Sequence, residues 1–431
     1  MKQHDPDSQV TLPQPLNLFT SKNINVAFQN SHVNEYSPLN PTGTVPIRFS
    51  INSGSTYLDL SQCYLQTTFQ LKKKEVTKVD GKDVTKFVNV TDTDKVSPIN
   101  AFGATALKNV KVSFNGRQIY NSNDLYAYNA YFRSRLGIDC SRNIDDLELA
   151  GYSEDDIKSQ ISGVGFESRR DKFIDKNIFH TIAHLDVDFF KQKKFLLNEI
   201  TVDIEITPND MDFNLISQDK TLYSFGITDY RLYVKQYHIL PQLDEQIQMS
   251  LKTGNLAKYP YTRNLLNTHY ISSGRYDYKA TLFNDFIPKR VFVALVDTKA
   301  FNGTLATSPF EFKQFNIQDI HISANSKLMP TYPCELSRNE FARCFKDLVD
   351  TTENSGLTFE EYLNHTCVYA FDFQSYPTKI ATEIQQIGTT ALSIKFSKAV
   401  PANGIQALIF AEFDSLMAFD YGRNITTALP V

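Results

Sequence analysis

What most constrains this chain is a two-residue alternation of apolar and polar side chains that recurs, in the same order of segments, in both halves. Ile47, Phe49 and Ile51 alternate with polar neighbours, as do Leu65, Thr67, Phe69 and Leu71. Residues 107–114 read LKNVKVSF and place Val110, Val112 and Phe114 on one face. They run into Asn115-Gly116, the strongest two-residue hairpin signal, with Arg117–Tyr120 as the return strand. Residues 182–189 (IAHLDVDF), 200–206 (ITVDIEI) and 230–240 (YRLYVKQYHIL) continue the pattern. A side chain every second residue on one face means half-buried antiparallel sheet.

The second half repeats this order. IQDIHI at 317–322 matches the strand before Asn115-Gly116, and EFARCFKDLV at 340–349 matches the helical segment LYAYNAYFRSRL at 125–136. HTCVYAFDFQ (365–374) answers HTIAHLDVDFF (180–190). Leu392, Ile394 and Phe396 answer Val202, Ile204 and Ile206. ALIFAEFD (407–414) answers YRLYVKQY, and KRVFVALVD (289–297) answers SQCYLQTTFQL (61–71). Each copy holds about eight strand candidates and one helix between the hairpin and the later strands. Eight antiparallel strands in two packed sheets is the jelly-roll pattern. The predicted class is therefore all-β: two tandem eight-stranded antiparallel jelly rolls with a few short helices. The boundaries are an N-terminal arm at 1–45, a first jelly roll at 46–240, a linker at 241–257, a second jelly roll at 258–420 and a tail at 421–431.

Helix signals are few. Leu125, Tyr128, Phe132 and Leu136 form one stripe, which predicts a short amphipathic helix. Gln242–Leu251 is a weaker helix after Pro241. Residues 137–178 carry Asp145-Asp146 and Glu154-Asp155-Asp156 and read as a long exposed excursion, with a counterpart at 346–362. The arm is punctuated by Pro6, Pro13, Pro15, Pro38, Pro41 and Pro46, which break helices and central strands. Its scattered apolar residues, Phe19, Ile24, Phe28 and Tyr36 among them, are the candidate assembly contacts. Removal of 1–45 is expected to spare the folded protein and impair assembly.

The 431 residues include 17 Gly, 17 Pro, 32 Phe, 22 Tyr and no Trp. That composition excludes collagen-like and disordered classes. The longest apolar runs, such as Val291–Val296, fall far short of the ~20 residues of a membrane-spanning helix. The net charge of −4 argues against a general nucleic-acid binder. Lys72-Lys73-Lys74, before the turn signal Asp80-Gly81, reads as a solvated hairpin tip. The N-terminus has no apolar core, so it does not read as a signal peptide. Cys63, Cys140, Cys334, Cys344 and Cys367 are odd in number and widely spaced, as expected of reduced thiols. Asn89, Asn302, Asn364 and Asn424 sit in chance sequons.

No catalytic motif occurs: GxSxG, GxxxxGK[ST], GxGxxG after a strand and HExxH are all missing. His180 and His184 share a strand face, with Asp186 and Asp188 at the same parity, but no further ligand completes a metal shell. The expectation is no enzyme, no cofactor and no metal. A carbohydrate-binding or other ligand-binding jelly roll is the alternative from another class. It would want exposed Trp and paired carboxylates, and neither stands out.

Several stretches, taken in order, resemble the hexon-type double jelly-roll major capsid proteins of Maverick/Polinton elements and adintoviruses. They are YLDLSQCYLQTTFQL (57–71), VKVSFNGRQI (110–119), LYAYNAYFRSRL (125–136), LLNEITVDIEI (196–206), GNLAKYPYTR (254–263), LVDTKAFNGTLATSPFEFKQFNI (295–317), YAFDF (369–373) and ALIFAEFDSL (407–416). The resemblance spans roughly residues 45 to 416. It implies a homotrimer whose six jelly rolls form a pseudo-hexagonal capsomer that tiles an icosahedral shell. The implied partners are the chain itself, neighbouring capsomers and a minor or penton capsid protein, with no specific nucleic acid and membrane contact left open. The implied location is the virion, assembled inside the host cell and not secreted. A capsid-like protein of an integrated element that no longer forms virions is the second alternative.

Overall fold

The computed structural model describes residues 27–41, 43–79, 82–137, 144–218, 222–325, 327–332, 335–336, 340–352, 356–374 and 386–427. The first half contains β1 (Phe28–Tyr36), β2 (Ile47–Asn52), β3 (Tyr57–Val79), β4 (Lys82–Val88), β5 (Val96–Pro98), α1 (Phe102–Thr105), β6 (Leu107–Phe114), β7 (Arg117–Asn121), α2 (Tyr126–Leu136), α3 (Ile144–Leu149), α4 (Val164–Asp171), β8 (Ile178–His184), β9 (Thr201–Pro208), α5 (Met211–Asn214), β10 (Leu215–Ser217) and β11 (Leu222–Ile239). After α6 (Pro241–Lys252) come β12 (Ala257–Ile271), β13 (Asp277–Phe283), β14 (Arg290–Asp297), α7 (Thr298–Asn302), β15 (Ile317–Ala324), β16 (Lys327–Met329), α8 (Phe341–Thr352), α9 (Phe359–Asn364), β17 (Val368–Asp372), β18 (Thr390–Phe396), β19 (Ile405–Phe419) and β20 (Ile425–Thr427).

The pairing shows two copies of one sandwich. In the first, β1-β11-β3-β8 faces β2-β9-β6-β7; in the second, β12-β19-β14-β17 faces β13-β18-β15-β16. Each strand has its mate at the same place in the order, and every pairing is antiparallel. This is the double jelly roll that the repeat predicts. Local chemistry sets its turns. Asn115 (φ 48°) and Gly116 (φ 77°) both take the left-handed conformation that joins β6 to β7 with the right twist. Pro241 stands at the start of α6, where its missing N–H costs nothing. Gly137, at φ 65°, ends α2.

Five expectations need correction. The arm does not extend to residue 45. Residues 28–36 are β1, which pairs with β11 from Phe28↔Ile239 to Tyr36↔Leu232 and supplies the first strand of the first sandwich. Its prolines mislead because they flank the strand and leave its interior free. The strand placed at 182–189 is β8 at 178–184, paired with β3 from Tyr64↔His184 to Gln70↔Ile178. The chain then turns into a short 3-10 helix at Asp188–Lys191, because Asp188 enters a buried ion pair with Arg133. Helix α2 is not amphipathic: every residue but Ser134 is buried. Lys72–Lys74 lie at the base of the β3–β4 hairpin, where Lys73 Nζ sits 2.7 Å from Asp94. The excursion at 137–178 is partly interior. It carries buried Phe166, Phe173 and Arg169, and Asp155 is 2.6 Å from Arg169 Nη1.

The burial of α2 explains how the halves join. Tyr126 and Ala130 belong to the apolar core of the first sandwich, together with Tyr259, Met417 and Phe419 of the second half. Leu125, Tyr128, Tyr131, Phe132 and Leu136 belong to the core of the second, together with Phe69 and Phe225 of the first. Phe132 stacks on Phe312 at 5.4 Å and meets Phe410 of β19 at 5.7 Å. Full burial of such a ring contributes roughly 1.5–3 kcal/mol. The two sandwiches are thus one packed body.

Candidate assembly surfaces and the seam between the sandwiches

Of the four candidate contacts, Phe19 and Ile24 lie outside the described residues. Phe28 and Tyr36 stand at the two ends of β1 and turn towards their own sandwich. The Phe28 ring lies 5.1 Å from Tyr237 and 5.7 Å from Phe195. Tyr36 Oη accepts a 2.7 Å hydrogen bond from Gln236 Nε2. What β1 offers outward is an edge: its side chains are mostly exposed, Val33 among them. An edge strand presents unpaired backbone groups that another chain can use.

The seam holds side chains that sequence reasoning missed. Arg133 of α2 is fully buried and pairs with Asp188. The other Asp188 oxygen accepts from the Asn264 backbone N–H of β12 at 3.0 Å. Two residues on, Arg135 Nη2 lies 2.7 Å from Glu361 Oε1 of α9. Glu361 also closes a capping box, accepting from the Thr358 N–H at 2.9 Å. Burial pushes the Glu361 carboxyl up, but the Thr358 hydrogen bonds and the Arg135 guanidinium outweigh it and hold the group below its usual value. Arg423 reaches back across the seam, donating from Nη2 to Asn198 Oδ1 at 2.7 Å. The tail is part of the fold as far as Thr427, since β20 pairs with β19. Buried pairs of this kind add little net stability, yet removing one partner costs several kcal/mol, so they fix one relative placement of the sandwiches. The available signal was two arginines inside an aromatic helix, at 133 and 135.

A cavity of about 440 Å³ opens beside β3, β8, α1 and α3. Leu60, Cys63, Leu147 and Leu185 form its apolar wall, with His184, Asp186 and Lys191 at its polar side. Burial pushes the Asp186 carboxyl up against the pull of Lys191 and Arg133. Burial also pushes up the Cys63 thiol, which leaves it protonated and a poor nucleophile. Cys63, Cys344 and Cys367 are free and buried; Cys140 and Cys334 lie outside the described residues. His180 Nδ1 is 3.0 Å from Thr68 Oγ1, while Asp188 turns into the seam, so the four residues 180, 184, 186 and 188 do not converge. Among the described residues no group of three or more His, Cys, Asp or Glu could hold a metal ion. No helix among them is long and apolar enough to cross a membrane.

No family model matches the chain. A Caenorhabditis elegans protein, "Uncharacterized protein F54H12.2", is 26% identical over 391 residues, covering 86% of this chain and 90% of that protein. Three solved structures are similar in fold. A Sputnik virophage structure covers 99% of this chain and 94% of its own, with a TM-score of 0.66 and 11% identity. The mavirus major capsid protein covers 100% and 97%, with a TM-score of 0.57 and 11% identity. The PBCV-1 protein VP54, fitted into a Sputnik reconstruction, covers 96% and 100%, with a TM-score of 0.56 and 10% identity. At these identities the likeness shows the fold: the chain has the double jelly roll seen in viral major capsid proteins, which are structural proteins and not enzymes.

Proposed function

We propose that this chain is a major capsid protein of the Maverick/Polinton and adintovirus kind. One observation carries the reading: two complete jelly rolls of identical strand order, locked into one body, over the same full length as the virophage and mavirus chains. A rigid pair of upright sandwiches supplies two of the six lobes of a pseudo-hexagonal capsomer, and three copies complete it around a closing three-fold axis. Capsomers tile an icosahedral shell, with a minor or penton capsid protein at its special positions. The product is a virion component assembled inside the host cell. In this role the seam pairs keep the two lobes at a fixed angle. The exposed edge β1 and any contact made by residues before it serve neighbouring subunits. Electron microscopy of the purified full chain tests this reading. Capsomers and closed shells support it, and monodisperse single chains at high concentration contradict it.

The relative from C. elegans motivates a second reading. In this reading the chain is a capsid-like protein of an element resident in an animal genome, folded and trimeric but without virions. Shells in the same micrographs rule that reading out; isolated capsomers under all conditions favour it.

A further inference from the structure

Beyond the core residues Leu71 and Phe225, the strands β11, β3 and β4 run on together as a projecting sheet. Leu222, Lys74 and Phe87 lie side by side in one row, and Val76 pairs with Thr85 further out. The β3–β4 ladder continues from Lys73↔Val88 to Val79↔Lys82, a projection of roughly 20 Å at the usual strand rise. Alternate residues share a face, so Lys72, Lys74 and Val76 stand together with Phe87 and Leu222. Leu222, Val76 and Phe87 are 56%, 53% and 51% exposed. This face is apolar and basic.

A surface of opposite charge stands on α3. Leu147 turns inward, while Ile144 and Leu149 are 58% and 51% exposed. Ile144, Asp145, Glu148 and Leu149 fall on one helix face by their spacing, and all four are exposed. The hairpin projects past the end of the first sandwich, while α3 packs on its flank beside Leu60, Cys63, Ala183 and Leu185. The hairpin lies between β3 and β6 and α3 between β7 and β8; only the residue just before β8 meets the base of the hairpin, where Asn177 Nδ2 donates a 2.6 Å hydrogen bond to Asn89 Oδ1. Both remain exposed in the single chain, so neither covers the other within it.

We infer that the hairpin face of one copy docks on the α3 face of a neighbouring copy, apolar against apolar and Lys72 and Lys74 against Asp145 and Glu148. The contact joins two different patches, so it runs head to tail, and a rotation that closes after three copies makes it the ring the capsomer needs. It rests on the capsomer reading and names the surfaces that would build it.

Charge exchange tests the contact. Light scattering over a concentration series is run on the full chain, on Lys72→Glu/Lys74→Glu, on Asp145→Lys/Glu148→Lys and on the combination of all four. Thermal melting of each variant serves as a control for folding. The wild type associates. Each double variant is expected to need at least about tenfold more protein for the same association, as for like charges placed across an interface. The fourfold variant is expected to regain most of that loss. Phe87→Ser, which leaves charge unchanged, is expected to weaken association similarly. Double variants that associate like the wild type, or a combination that regains nothing, overturn this contact and leave the trimer standing. A wild type that stays monomeric at every concentration overturns the capsomer reading itself.

Discussion

The third strand of each sandwich shows how the same structural position can be written in two ways. In β3 the residues from Leu65 to Leu71 place Leu65, Phe69 and Leu71 inside and leave Gln66 and Gln70 half-exposed. In its mate β14, Val291 to Val296 are all buried. The strands occupy equivalent places in equivalent sheets, so the difference comes from what lies outside them. The outer face of β3 and β11 meets solvent, as the exposed pair Arg231–Glu35 shows. The outer face of β14 and β19 is covered: Phe292 packs with Phe410, and Phe410 meets Phe132 of α2. A helix donated by the first sandwich turns the second sandwich's sheet into an inner layer. Alternation therefore reports solvent on one face, and a continuous apolar strand reports a covering element.

The largest effects should treat the two halves alike. Val112 and Ile322 are mates, both fully buried between their sheets. An unpaired buried charge costs several kcal/mol, about the whole margin of a domain. Val112→Asp and Ile322→Asp are each expected to abolish the native melting transition. If one variant melts like the wild type while the other collapses, the halves are not equivalent. Truncation comes next. Removing residues 1–45 deletes β1 and is expected to destabilise the first sandwich, whereas removing 1–26 keeps every described strand. Equal melting temperatures for the two truncations would show that β1 is not an integral strand.

The outer faces should then respond unequally. Phe292→Ala is expected to cost about 3–5 kcal/mol, as for other buried aromatics. Gln66→Ala, on the solvent face of β3, should stay within about 0.5 kcal/mol. Similar costs in denaturant titrations would remove the argument that α2 covers only one sheet. A moderate effect is expected at the clasp between α2 and α9. Glu361→Gln is expected to cost about 1–3 kcal/mol at neutral pH. The folded-state carboxyl lies below its usual value, so its contribution is complete above the ordinary range near ~4.3 and fades as pH falls through the lowered value. Variant and wild type should converge in stability on acidification. A gap that stays constant down to acid pH would show that the charge of Glu361 is not what matters.

Much of this was readable from residues. The hairpin at Asn115-Gly116, the strand around Ile204 and the mates Val112 and Ile322 follow from alternation and turn chemistry, because both depend on local neighbours. β1 was hidden because an exposed edge strand carries almost no alternation: its burial runs exposed for six residues. The two-sided burial of α2 was hidden because its second apolar face is met only by the distant Phe312 and Phe410. The seam pairs were hidden for the same reason: Arg133 and Asp188 look like surface charges until tertiary packing encloses them. Phe28 and Tyr36, read from the sequence as assembly contacts, meet Tyr237, Phe195 and Gln236 of their own sandwich.

Two-dimensional averages of the purified full chain by electron microscopy test the central claim most directly. The account predicts three-fold particles with six lobes in a pseudo-hexagonal outline, two lobes per chain. Particles with one pair of lobes and no three-fold symmetry, at concentrations where capsomers should form, would contradict it.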